Sequence, residues 1–125
     1  MLKRTALTLV VFALVLGLSS SAFAQKATVL RVVIVKTDDV GQYLRELEKG
    51  REILKRLGVQ VQIRVWQARF AGSDTGSIAV GAEYPDMAAF AAGMAKTEAS
   101  PEYQAWLKNV DKIRKIVSDS LYGEL

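Results

Sequence analysis

The sequence predicts an α+β fold in the order β-α-β-β-α-β, an antiparallel sheet with its helices on one face. Three observations predict it. Thr28 to Lys36 is a β-branched run that reads as a buried strand. Two alternating segments, Val59 to Phe70 and Ser77 to Tyr84, flank the turn-rich stretch Ala71-Gly-Ser-Asp-Thr-Gly76 and read as a hairpin. A helical pattern, with apolar residues at steps of three and four, follows the first strand and follows the hairpin.

Each element has its own signals. After the first strand, Thr37-Asp38-Asp39 offers side-chain oxygens to the free N–H groups of a helix start. In that helix Val40, Tyr43, Leu44, Leu47, Leu54 and Leu57 form one apolar stripe, and Gly58 stops it. Gly50 lies inside the helix, where glycine costs about 1 kcal/mol relative to alanine, so it marks a close contact or a bend. In the second strand Val59, Val61, Ile63 and Val65 line one face, and Gln60, Gln62, Arg64 and Trp66 the other. Beyond Val65 the apolar phase passes to Trp66, Ala68 and Phe70, which predicts a bulge or a strand serving two partners. Pro85 and Asp86 open a helix whose stripe is Met87, Phe90, Ala91 and Met94, read as core. Ser100-Pro101-Glu102 opens another, burying Tyr103, Trp106, Leu107 and Val110. Val117 to Leu125 reads as a short last strand. This is the ferredoxin-like arrangement, and it leaves one sheet face bare. Trp66 makes that face partly apolar, and a second copy of the same chain is its simplest cover.

The first 24 residues stand apart. Lys3 and Arg4 precede an apolar run from Ala6 to Leu18, followed by Ala22-Phe23-Ala24, the layout of a cleaved secretory signal. The run is shorter than the roughly 20 residues that span a bilayer as a helix. Cleavage after Ala24 is expected, leaving residues 25–125 as a single domain, periplasmic or secreted, with no membrane attachment.

Composition excludes several functions. The chain has no Cys and no His, so it lacks the commonest metal ligands and the commonest general base. No metal and no cofactor is expected, for there is neither a calcium-loop spacing nor a glycine-rich phosphate loop. Of the 17 basic side chains, Lys3 and Arg4 leave with the signal, so the remainder carries 15 against 13 acidic, a net +2. These charges are interleaved along the chain and form no basic face, which argues against nucleic acid. Asp74-Thr75-Gly76 spells the catalytic triplet of aspartic peptidases, but Gly72-Ser73 before it and the many helical residues elsewhere make it a turn.

The segment from Val65 to Leu107, with "EYPDMAAF" after a strand and "SPEY" opening a helix, resembles the dimeric α+β barrel families, among them the NIPSNAP-like and stress-responsive barrel proteins. The likeness covers roughly residues 28 to 124. It implies a homodimer of ferredoxin-like domains. Members range from cofactor-free oxygenases to proteins without known activity, and the cleft histidine of several catalytic members has no counterpart here.

The expected site is a cleft on the bare sheet face. Arg64 could clamp an acidic ligand, Trp66 could stack on it, Gln62 lies beside them, and Tyr84 could donate a hydrogen bond at the edge. Arg and Trp are also enriched in protein interfaces, so the same residues could equally join two copies. The leading expectation is a non-catalytic protein that binds a small molecule or acts as an interaction module. The alternative is a small cofactor-independent enzyme, oxygenase- or isomerase-like, in the same cleft.

Overall fold

The computed structural model describes residues 27–125; the expected leader and its cleavage point lie outside the described residues. The elements run β1 (Val29–Lys36), α1 (Val40–Arg56), β2 (Gln62–Gln67), a 3-10 turn (Gly72–Asp74), β3 (Ile78–Tyr84), α2 (Met87–Glu98), α3 (Pro101–Asp111) and β4 (Lys115–Gly123). The four strands form one sheet in the order β2-β3-β1-β4, with every neighbouring pair antiparallel. This is the expected ferredoxin-like α+β architecture, with the second helical region split in two. Among the described residues no helix is long and apolar enough to cross a membrane.

The helix starts follow the sequence signals. Asp39 accepts from the Gln42 backbone N–H, Asp86 from that of Ala89, and Ser100 from that of Tyr103. Pro101 takes the first position of α3, where its missing N–H costs nothing. Strand alternation sorts side chains between the two sheet faces. Val33, Val35, Ile63, Ile78 and Val80 point toward the helices; Leu30, Trp66 and Gly81 meet on the outer face. The core cluster is Val35, Tyr43, Leu47, Ile78 and Val110, and Tyr43, Val35 and Val110 are fully buried.

Three local expectations are corrected. The second strand pairs regularly with β3 and ends at Gln67, so there is no bulge in it; the register shift occurs between β1 and β4, at Ile34/Val35. Trp66 continues the outward phase of Gln62 and Arg64, and Phe70 stands fully exposed in the loop. Within α2 the buried residues are Gly93 and Thr97, while Met87 is 55% exposed. The small residues sit toward the sheet because α2 approaches it closely: a Cβ on Gly93 would lie 3.0 Å from Val59 Cγ1 and 3.3 Å from Tyr84 Cε1.

The loop at Asp74 is a turn, as expected. Gly72 and Gly76 adopt φ of 57° and 88°, the left-handed region where glycine is unstrained. The side-chain bond that closes it comes from Thr75, whose Oγ1 accepts from the Ala71 N–H, rather than from Asp74.

Gly50 marks a close contact. A Cβ there would fall 2.4 Å from Trp106 Cζ2, so α1 and α3 meet with the indole laid against bare backbone. Trp106 Nε1 donates to the Glu46 carbonyl at 2.9 Å, which satisfies the indole N–H inside the seam. Gly50→Ala gains about 1 kcal/mol of helix propensity, but displacing a packed indole costs about 1–3 kcal/mol. The expected outcome is a net loss near 1 kcal/mol, read as a fall in thermal midpoint of roughly 4–8 °C for a domain of this size. A raised midpoint would show that the seam is loose.

Candidate functional site

Between the sheet and the helices lies a cavity of about 320 Å³. Its floor comes from β1, β2, β3 and β4, and its walls from Leu47, Gly50 and Leu54 of α1, Gly93, Met94, Thr97 and Glu98 of α2, and Tyr103, Gln104, Trp106 and Leu107 of α3. Most of the lining surface is apolar, and Arg31, Asp119, Tyr84 and Tyr103 are among the side chains that bring polar groups to it.

Those polar groups form one constellation. Arg31 is the single charged residue within β1 before its last position, and alternation turns it to the helix side with Val33 and Val35. Asp119 of β4 lies on the same face, since its neighbour across the ladder is Val33. Arg31 Nε donates to Asp119 Oδ1 at 2.9 Å and Nη2 to Oδ2 at 2.6 Å, a two-pronged pair. Both side chains are about a third exposed, 33% and 37%, so solvent screening keeps the pair's share of stability modest. The hydrogen bond from Arg31 holds the Asp119 carboxyl below its ordinary range, against the opposing effect of burial. The same bond raises the Arg31 guanidinium, which stays charged throughout.

Tyr84, at the end of β3, and Tyr103, in the first turn of α3, complete the group. Tyr84 packs edge-on against Phe90, with ring centroids 5.2 Å apart. Tyr103 packs against Trp106 at the same separation. Burial pushes both phenols upward in pKa, and the nearby Arg31 charge partly offsets this. At neutral pH both are therefore protonated donors. Met94 Sδ lies 3.7 Å from Arg31 Nη1, a weak acceptor for that N–H.

The four residues expected to form the site are divided by the sheet. Tyr84 lines the cavity and is buried, at 7% exposure. Gln62, Arg64 and Trp66 lie on the outer face. There Arg64 Nη2 donates to Gln62 Oε1 at 3.1 Å and lies 3.7 Å from Glu83 Oε2. Trp66 lies across Gly81, whose Cβ would fall 2.7 Å from Trp66 Cζ3, and remains 51% exposed. The outer face is thus a surface with a flat aromatic and a polar trio, and the enclosed space is behind it. Arg31, Asp119 and Tyr103 escaped the sequence reading. One signal was available: a lone arginine within an apolar strand buried by helices needs a carboxylate partner. Among the described residues there is no group of three or more acidic, His or Cys side chains that could hold a metal ion.

This fold has known counterparts. No protein-family model matches the chain, and no curated protein sequence matches it. Solved structures do. SnoaB, a cofactor-independent oxygenase from Streptomyces nogalater, superposes with a TM-score of 0.61 at 13% identity, over 79% of this chain and 94% of that one. A NIPSNAP domain protein from Burkholderia xenovorans gives 0.58 at 14% identity, over 79% and 92%. Likeness at such identities is a likeness of fold, and the fold shared is the ferredoxin-like α+β arrangement.

The two cavity phenols generate a pH prediction. Their folded pKa values are raised, so the stability they confer is complete below their ordinary value near 10 and is lost as pH rises through the folded values. Urea midpoints of the protein should fall above about pH 10, and the Tyr84→Phe/Tyr103→Phe variant should lose less over the same interval. Identical slopes for the two proteins would refute the assignment.

Proposed function

We propose that this protein is an exported binder of a small, largely apolar molecule, held in the cavity between sheet and helices. The observation that carries this reading is the cavity itself. Its volume, about 320 Å³, falls within the roughly 300–1,000 Å³ range of small-molecule sites, and its largely apolar surface with several polar groups matches their usual chemistry. The expected cleft on the outer face is replaced in this reading by the helix-side cavity, and the outer face becomes the surface through which two copies pair. Trp66, half exposed over Gly81, and the Arg64–Glu83–Gln62 group suit such an interface.

A second reading, a cofactor-independent enzyme in the same cavity, draws support from the oxygenase described for SnoaB. Binding without turnover is favoured by the side chains present. The chain lacks histidine, Asp119 is held by Arg31, and phenols with raised pKa are poor bases at neutral pH.

Two measurements test the proposal. The hydrocarbon probe 2-ethylnaphthalene should quench or shift Trp106 fluorescence in a Trp66→Phe background, since Trp106 lines the cavity. Ala82→Phe, which fills the space from β3, should abolish that response while leaving the circular dichroism unchanged. A response that survives in the filled variant would place the probe elsewhere. Native mass spectrometry of protein recovered from its own compartment should give twice the mass of a chain beginning at Gln25. A monomer would overturn pairing, and retention of residues 1–24 would overturn cleavage.

A further inference from the structure

A second space opens at the end of the sheet where β1 and β2 finish and β3 and β4 begin. It is a surface groove of about 830 Å³. Its lining runs from Lys36 to Asp39 and Gln42 at the start of α1, through Thr75 to Ser77 ahead of β3, to Lys112 to Lys115 at the head of β4.

Ser77 is the anomaly there. It is 2% exposed, it lines the groove, and its Oγ has no hydrogen-bond partner among the described residues. A hydroxyl buried in that way loses its hydration and receives nothing in return. The ladders set it in cationic company. Lys36 lies directly opposite Lys115 in the β1–β4 pairing. Continuing the β1–β3 register one step past Val35↔Ile78 places Ser77 on the other side of Lys36. Lys115, Lys36 and Ser77 therefore stand in a row across three strands. Like charges directly opposite each other destabilise a sheet. Neither of these lysines, nor Lys112 on the same lining, has an ion-pair partner among the described residues.

The rest of the lining does not neutralise the row. Arg114 is matched by Asp111, at 3.2 and 3.0 Å, and reaches Tyr43 Oη at 3.4 Å. Asp39 is turned to α1, where it accepts from the Gln42 N–H. That cap closes the helix start, so the donors left to the groove are side chains. With Asp38 and Asp39 set against the three lysines, one positive charge remains in excess. A neutral guest would leave the opposed lysines unmatched, and a cation would add to their repulsion. An oxyanion answers both anomalies: it accepts charge-assisted bonds from ammonium groups and an ordinary one from a hydroxyl. A tetrahedral oxyanion has enough oxygens to do both at once.

We propose that this groove is a binding site for a phosphate or sulfate group, free or at the head of a larger molecule, held by Lys36, Lys115 and Ser77, with Lys112 adding charge. The site stands apart from whatever the cavity between sheet and helices holds, the two linings sharing Arg114 alone.

Sodium phosphate, sodium sulfate and phenyl phosphate are each titrated into the ¹⁵N-labelled mature protein, with ionic strength held constant by sodium chloride. The amide signals of Lys36, Ser77 and Lys115 should move together along one saturating curve for at least one of the inorganic ions. Lys36→Gln/Lys115→Gln should bind that ion at least about tenfold more weakly, since two charge-assisted bonds are removed. Ser77→Ala should weaken it roughly three- to tenfold. In chloride alone the thermal midpoint of Ser77→Ala should equal or exceed that of the unmodified protein, because a buried unpaired hydroxyl is gone. Tight binding of phenyl phosphate would show the group to be carried by a larger molecule, and binding of the inorganic ions alone would make the free ion the ligand. Shifts that rise without saturating, or affinity unchanged in both variants, would overturn the site.

Discussion

Much of this structure depends on one contact, the face of Trp106 against the backbone of Gly50. An indole is the largest side chain available, and only a glycine lets α1 come within van der Waals reach of it. The hydrogen bond from Nε1 to the Glu46 carbonyl fixes the ring's orientation. The contact locks α3 to α1 and thereby sets where Tyr103 and Leu107, neighbours on α3, stand above the sheet. One wall of the cavity is thus built on this contact. The other wall, α2, is held by the close approach of Gly93 to Tyr84 and Val59. Two glycines thus bring helices in closely on either side.

The sheet divides the chemistry as firmly as the helices enclose it. On β1, Leu30 meets Trp66 on one side while Arg31 meets Asp119 on the other. A one-residue shift in register would exchange these roles, placing a paired charge outside and an apolar residue in the cavity. The ladder between β1 and β4 absorbs its irregularity at Ile34/Val35, away from Arg31, so the Arg31–Asp119 geometry rests on a regular stretch from Val29 to Ile34.

The order of elements, the hairpin and the helix starts were legible because each is encoded locally. Asp39, Asp86 and Ser100 cap from their own positions, and alternation in Ser77 to Tyr84 announces both faces of β3. The glycine in α1 was legible as an anomaly whose partner was not, because Trp106 lies in a helix more than fifty residues further on. The site was largely illegible. Arg31 and Asp119 are 88 positions apart, and nothing near either names the other. Trp66 and Arg64 drew attention because they are large and conspicuous in an alternating strand, yet alternation itself puts them on the face opposite Ile63 and Val65. Empty space leaves no letter in a sequence: the cavity is lined from all four strands and all three helices, and no single stretch announces it.

The two faces are not independent. The central strands β1 and β3 carry Arg31 and Tyr84 inward and Leu30 and Gly81 outward. Trp66 rests on Gly81, one residue from Ala82 and three from Tyr84, with Leu30 close by and adjacent in sequence to Arg31. Any body pressed on the outer face would therefore bear on the strands that hold the cavity's donors. Pairing of two copies there would stiffen β1 and β3 against the twisting that would separate Arg31 from Tyr84, and so reduce the ordering that a ligand must otherwise impose. Binding in the cavity and assembly across the outer face would then reinforce each other through backbone held in common, by simple linkage.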